Sequence, residues 1–253
     1  PKCRTTVGLD ALPDGKAWYE YRVRDITTTN YTPAQIHEIG LKEVARIRGE
    51  MQGVMAKVGF QGSLDDFFKF LNSDPQFFYA DKETLIAGYD DIRKRVNPQL
   101  PRLFETLPKA DYEVRAVEPF REKSAAGGQY QAASEDGSRP GIFYANTYDL
   151  KARPKWAMEA LSLHEANPGH HFQISIQREQ KGLPRFRRFG GYTAFSEGWG
   201  LYAESLGPEL GKIRRSQLLP LTFGLDAGAV LRLGDERAFG ATARAFLSVA
   251  GSV

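Results

Sequence analysis

Leu163-His164-Glu165-Ala166-Asn167-Pro168-Gly169-His170-His171 holds three of the four histidines of this 253-residue chain within eight residues, with a carboxylate directly after the first. Imidazole nitrogens and a carboxylate oxygen are the donors that zinc takes, and a second carboxylate nearby can accept a proton from metal-activated water. The stretch also constrains the backbone. In a His-Glu-x-x-His helix the two histidines stand four residues apart on one face, but here the fourth residue after His164 is Pro168. On an unbroken helix His170 would be rotated ~600° from His164, about 120° short of two turns, and His171 would lie ~10.5 Å further along the axis. Neither ring could then share a metal with His164. Pro168 changes this, because it cannot donate to the His164 carbonyl and its ring clashes there, while Gly169 permits backbone conformations closed to other residues. The reading is therefore two helices meeting at a break between Glu165 and His170. A break that absorbs two extra residues lets His170 swing into the second histidine's place, with His171 the alternative.

Outward from this stretch, a helix from about 193 to 206 holds Glu197 and Glu204, seven residues apart and on nearly the same face. Ser196, Gly200 and Ala203 form a stripe of small side chains on it that would let another helix approach closely, so the carboxylate of Glu197 is placed to reach a neighbour's metal. Glu204 is placed to accept a hydrogen bond from a ligand imidazole or another polar group in the same cleft. Upstream, Thr32-Pro33-Ala34-Gln35 reads as a cap, a first-turn proline and a capping glutamine, opening a helix over 33–58 in which Val44, Ile47, Met51, Val54 and Val58 recur at helical spacing. Further helices are expected at 64–73, opened by Ser63, and at 82–106, opened by Asp81 and bent at Pro98 and Pro101. Three short aromatic or β-branched runs, 112–117, 129–132 and 141–146, predict a small antiparallel sheet ahead of the histidine helices. The expected class is α+β, mainly helical.

Composition narrows the function. A formal net charge of +3, with both signs spread along the chain, lacks the clustered Lys and Arg that nucleic acid demands. The densest basic run, Arg185-Phe186-Arg187-Arg188, reads as a solvated loop with local ion pairs. Its functional reading is a clamp for a substrate carboxylate. A single cysteine, Cys3, excludes an internal disulfide and a cysteine-rich zinc module. No apolar run approaches the ~20 residues of a spanning helix. No repeat or linker divides the chain, so one domain is expected over 1–253. Pro1 is not an initiator methionine, and the segment from Lys212 to Val253 has a different texture, rich in Ala, Gly, Leu and Arg, with helix-like stretches at Ala227–Leu233 and Ala238–Val249.

His-Glu-x-x-Pro-Gly-His-His, followed by Gly-Tyr-x-Ala-Phe-x-Glu-Gly-Trp-x-Leu-Tyr-Ala-Glu, resembles the bacterial family known as domain of unknown function 885. The resemblance covers roughly residues 7 to 211 and takes in Gly8 through Pro13, Thr27-Thr28-Thr29, Ser138-Arg139-Pro140-Gly141 and Asn146. Members are similar to gluzincin metallopeptidases, which implies a zincin-like fold with this chain as the C-terminal portion of a longer protein. It also implies a zinc ion held by His164, His170 and Glu197, with Glu165 as general base. His171 and Glu204 would then stand behind the ligands or face the substrate, and His37 would be structural or exposed. The segment 212–253 departs from the family pattern. A periplasmic or secreted location is compatible with the resemblance.

The expected chemistry is hydrolysis of a peptide bond. Glu165 takes a proton from metal-activated water, the resulting nucleophile attacks the carbonyl, and Glu165 hands the proton to the leaving amine. Tyr192, after Gly190-Gly191, is a candidate donor to the oxyanion, its structural reading being aromatic packing beside Phe189 and Phe195. The strand 141–146 is expected to be the sheet edge along which a peptide substrate lies, as the gluzincin resemblance implies. Two alternatives stay open: hydrolysis of a non-peptide ester or amide, and a catalytically inactive metal- or peptide-binding fragment. Oligomeric state is not legible in the sequence.

Overall fold

Side chains that satisfy the first backbone N–H groups open the early helices. Thr32 and Gln35 form a reciprocal capping box, the Thr32 hydroxyl accepting from the Gln35 N–H at 3.2 Å and the Gln35 side chain from the Thr32 N–H at 2.8 Å. Ser63 and Asp66 repeat the arrangement, and Asp81 accepts from the Thr84 N–H at 2.7 Å. The computed structural model describes residues 4–6 and 8–210. In chain order these include α1 (Gly15–Thr27), α2 (Pro33–Lys57), α3 (Leu64–Ser73), α4 (Lys82–Val96), β1 (Tyr112–Ala116), β2 (Gly128–Gln131) and β3 (Gly141–Ala145). Then follow α5 (Lys155–Glu165), α6 (His170–Glu179), α7 (Arg185–Phe189) and α8 (Thr193–Ser205). The architecture is α+β and mainly helical. The helix-like stretches expected at Ala227–Leu233 and Ala238–Val249 lie outside the described residues.

Two local expectations are corrected, and one helix is added. The helix expected over 82–106 stops at Val96, and Asn97–Arg102, with both prolines, winds as 3-10 helix. The basic run 185–188 is a short helix rather than a loop. Its arginines do form local pairs, Arg185 to Glu135 at 3.1 Å and Arg188 to Glu135 at 3.8 Å. Helix α1 was not anticipated: its Asp14 cap makes no side-chain bond, and only Gly15, Val23 and Thr27 are buried, so neither a start signal nor an apolar stripe marks it.

The largest correction concerns the sheet, which is mixed. Its order is β1-β3-β2, with β3 parallel to β1 and antiparallel to β2. Short runs with alternating polarity carry no information about strand direction. Here the connection between Ala116 and Gly128 is long enough to cross past β3, and Asn146 pins it by donating to the carbonyls of Glu122 at 2.7 Å and Ala125 at 2.9 Å. β3, Gly-Ile-Phe-Tyr-Ala, is buried along its whole length, as a central strand covered on both faces must be. It is therefore not the edge expected to receive a peptide.

The main core joins the α4 stripe Leu85, Tyr89, Ile92 and Val96 to Phe143 of β3, Met158 and Leu163 of α5, and Phe172 of α6. A second cluster, Leu64, Phe67, Leu71 and Phe77, packs on Met51, Val54 and Met55 of α2. Phe143 is 1% exposed and meets Tyr89 edge to face at 5.0 Å. Replacing Phe143 with alanine is expected to lower unfolding free energy by about 3 to 5 kcal/mol, read from the denaturant midpoint at unchanged slope.

Candidate metal centre

Three helices converge on the histidine cluster. α5 carries His164 and Glu165 in its last turn, the chain breaks from helix over Ala166–Gly169, and α6 begins at His170. The break is built into the backbone: Ala166 sits at φ −110°, ψ −117° and Gly169 at φ −77°, ψ −128°. A Cβ on Gly169 would stand 1.9 Å from the His164 carbonyl oxygen, so only glycine allows the chain to fold back this closely. The hinge turns His170 toward His164, whose rings meet edge to face with centroids 4.6 Å apart.

α8 closes the site. Glu197 places Oε2 3.2 Å from His164 Nε2 and Oε1 3.6 Å from His170 Nε2. One donor atom from each of His164, His170 and Glu197 can be chosen so that all lie within 4.8 Å of one another. Zinc ligands at 2.0 to 2.1 Å in a tetrahedron lie roughly 3.4 Å apart, so the observed spacing suits that ion with small adjustments. On the opposite ring atom, His164 Nδ1 lies 2.8 Å from Glu204 Oε1. A carboxylate there accepts the Nδ1 proton and leaves Nε2 for a metal. His170 differs, since its Nδ1 is buried with no hydrogen-bond partner.

Close approach of α8 to α5 depends on the stripe of small side chains. A Cβ on Gly200 would fall 2.7 Å from Cε1 and Nε2 of His164, inside the ring's van der Waals surface. If zinc occupies the cluster, Gly200→Ala is expected to weaken its binding by about tenfold or more, the range seen when support behind a ligand is disturbed, as measured by competition with a chromogenic chelator.

The electrostatics follow from burial and proximity. The side chains of His164, His170 and Glu204 are 15%, 11% and 12% exposed, against 38% for Glu197. Burial disfavours a charged His164, but the carboxylates of Glu197 and Glu204 outweigh it and push its pKa up to about 10. Hydrogen bonds from His164 and His170 hold Glu197 far below the usual carboxylate range. Glu165 moves the other way: burial raises it, and the two histidines only partly offset this. Two carboxylates within one site are thus driven apart in basicity.

His171 is not brought to the cluster. It is 1% exposed, with Nε2 3.1 Å from the Ala110 carbonyl and Nδ1 2.9 Å from the Tyr130 hydroxyl. A carbonyl only accepts, so Nε2 carries the proton and Tyr130 donates to Nδ1. Burial lowers the His171 pKa to about 4, which fits a neutral ring tying α6 to β2. Tyr192 stands just before α8, 69% exposed, its carbonyl accepting from the Ser196 N–H. His37 is exposed on α2.

Sequence reasoning missed two supports. Trp199 donates its indole N–H to the Pro168 carbonyl at 2.7 Å, and Asn167 donates to Asn97 Oδ1 at 2.9 Å, so the break is fastened from two sides. β2 was recognised as a strand but not as the edge beside the site. The Asn146 N–H donates to Gly127 at 2.9 Å, and the alternation of an antiparallel ladder then turns the N–H and C=O groups of Gly128 and Tyr130 away from β3. Among the described residues no strand pairs with that side of β2. The Tyr130 backbone N–H favours the charged form of Glu165, which places the edge next to that carboxylate.

A family model described as "Bacterial protein of unknown function (DUF885)" matches residues 1–222. The chain belongs to this family. Among solved structures it is similar to a crystal structure described as "the putative lipoprotein from Colwellia psychrerythraea", at 34% identity and a TM-score of 0.79. That alignment covers 96% of this chain and 39% of the other, so the DUF885 stretch described here spans well under half of its longer relative. No functionally curated protein matches the chain.

Proposed function

We propose that this DUF885 chain is a zinc-dependent hydrolase of peptide bonds, of the gluzincin type. The observation that carries the reading is the convergence of His164, His170 and Glu197 from three helices within 4.8 Å, with Glu165 at the end of the same helix turn as His164. Two imidazoles and a carboxylate are a donor set typical of catalytic zinc, which leaves further positions for water and substrate. When bound, zinc supplies a Lewis acid and makes water acidic enough to be deprotonated near neutral pH.

The chain's own residues do the rest. Glu165, made more basic by burial, accepts the proton from the attacking water and returns it to the leaving amine. Glu204 holds the His164 ring in one tautomer and orientation. The outward N–H and C=O groups of Gly128 and the C=O of Tyr130 supply a strand edge on which an extended peptide pairs, favouring peptides over small esters as substrates. Tyr192, ahead of the Glu197 helix, is assigned as donor to the oxyanion. The relative described as a lipoprotein supports an envelope or secreted location.

Elemental analysis of the purified chain tests the metal, and mass spectrometry of a peptide library incubated with it tests the chemistry. About one zinc per chain and cleavage abolished by a chelator are expected. No zinc after reconstitution overturns the reading, and metal-dependent turnover of simple esters with intact peptides moves it to the non-peptide alternative.

A further inference from the structure

The break between α5 and α6 sets the distance between the two proposed histidine ligands, so whatever fixes the break fixes the site. Ala166–Gly169 is nonhelical, and Pro168 is among the fully buried side chains. Its carbonyl would lie buried without a partner but for the indole of Trp199, which donates at 2.7 Å, short for an N–H donor. Trp199 is itself held: its ring packs 5.5 Å from Tyr202 and 6.4 Å from Phe104, and Phe104 stacks on Phe172 of α6 at 4.4 Å.

We infer that Trp199 is a positioning residue for His170, acting through the Pro168 carbonyl. This rests on the metal-site reading above. Glu197, Trp199, Gly200 and Glu204 occupy a single helix, α8. That helix therefore presents a ligand, the packing surface and second bond for His164, and the anchor of the turn that delivers His170. Rotation or displacement of the turn moves His170 relative to Glu197, 3.6 Å away, and spoils the donor spacing. Packing of the indole explains its place in the core, but not why its one polar atom is aimed at a backbone carbonyl of the turn between the two ligand-bearing helices.

Trp199→Phe keeps an aromatic ring and removes the N–H. Two measurements on the whole chain test the inference. The first is hydrogen exchange of the metal-free protein, where the amides of His170 to Gln173 are expected to exchange about tenfold faster or more, while those of α4, remote from the turn, keep their rates. The second is cobalt(II) titration, where affinity is expected to fall by about tenfold and the visible absorption band of the bound ion to change shape. Leu71→Val, in the second apolar cluster away from the site, controls for general destabilisation and is expected to lower the melting temperature while leaving both readouts unchanged. Unaltered exchange in Trp199→Phe, or exchange raised equally in Leu71→Val, overturns the inference. Wild-type chain that takes no cobalt defeats the metal reading instead, and the exchange comparison still decides whether Trp199 holds the turn.

Discussion

Glu165→Gln is expected to reduce peptide hydrolysis by about 10² to 10⁴-fold while leaving zinc content near one per chain, the span associated with removing a positioned general base. The amide matches the carboxylate in shape, so packing at the end of α5 survives; what disappears is the atom that accepts the proton. Burial raises the Glu165 pKa, and this strengthens the case, since a more basic carboxylate is a better acceptor and a costlier charge to keep in a folded site without a use. The loss should fall on kcat with little change in KM, because the role proposed for Glu165 is to move a proton and not to bind the peptide. Cleavage by the variant at the wild-type rate, with zinc still bound, would remove Glu165 from the chemistry and leave a metal- or peptide-binding protein.

The helical part of the fold was legible where side chains announce their own caps. Thr32, Ser63 and Asp81 each accept from the backbone N–H three residues on, as their sequence contexts imply. The break at Pro168 was legible for the same reason, a local one: a missing N–H and a ring clash act within a single turn. Strand direction and order were not, because Tyr112–Ala116 and Gly141–Ala145 make the same local pattern whether they run parallel or antiparallel. Which edge is free depends on where an eleven-residue connection crosses, and that is fixed by Asn146 reaching carbonyls more than twenty residues away.

The site divides in the same way. Spacing allowed either His170 or His171 as the second ligand, and the choice rests on tertiary partners invisible to spacing: the Ala110 carbonyl and Tyr130 hydroxyl occupy both nitrogens of His171. Gly200 belonged to a recognisable small-residue stripe, yet that it makes room for an imidazole rather than for helix backbone emerges only from the 2.7 Å approach. Trp199 gave no sequence signal of its role, since a tryptophan two residues after a glutamate in an apolar helix reads as core.

His164→Ala is expected to reduce bound zinc from about one per chain to none detectable by elemental analysis, and to abolish hydrolysis with it. His164 is the only residue of the cluster with both ring nitrogens facing carboxylates, Glu204 at 2.8 Å and Glu197 at 3.2 Å, so its removal takes away a proposed ligand and the group that pairs with both carboxylates of α8. Metal-free stability should fall as well. Glu204 is 12% exposed and would lose its charged partner, and breaking such a pair from one side costs about 3 to 5 kcal/mol when it is buried. Melting curves with and without zinc separate the two effects. At a free zinc concentration of about 100 times the dissociation constant, the wild-type chain gains about 2.7 kcal/mol and its midpoint rises. The variant, starting lower, should gain nothing. A variant whose midpoint still climbs with zinc would place the metal elsewhere in the chain, because a site lacking His164 retains only one imidazole and one carboxylate of the converging set.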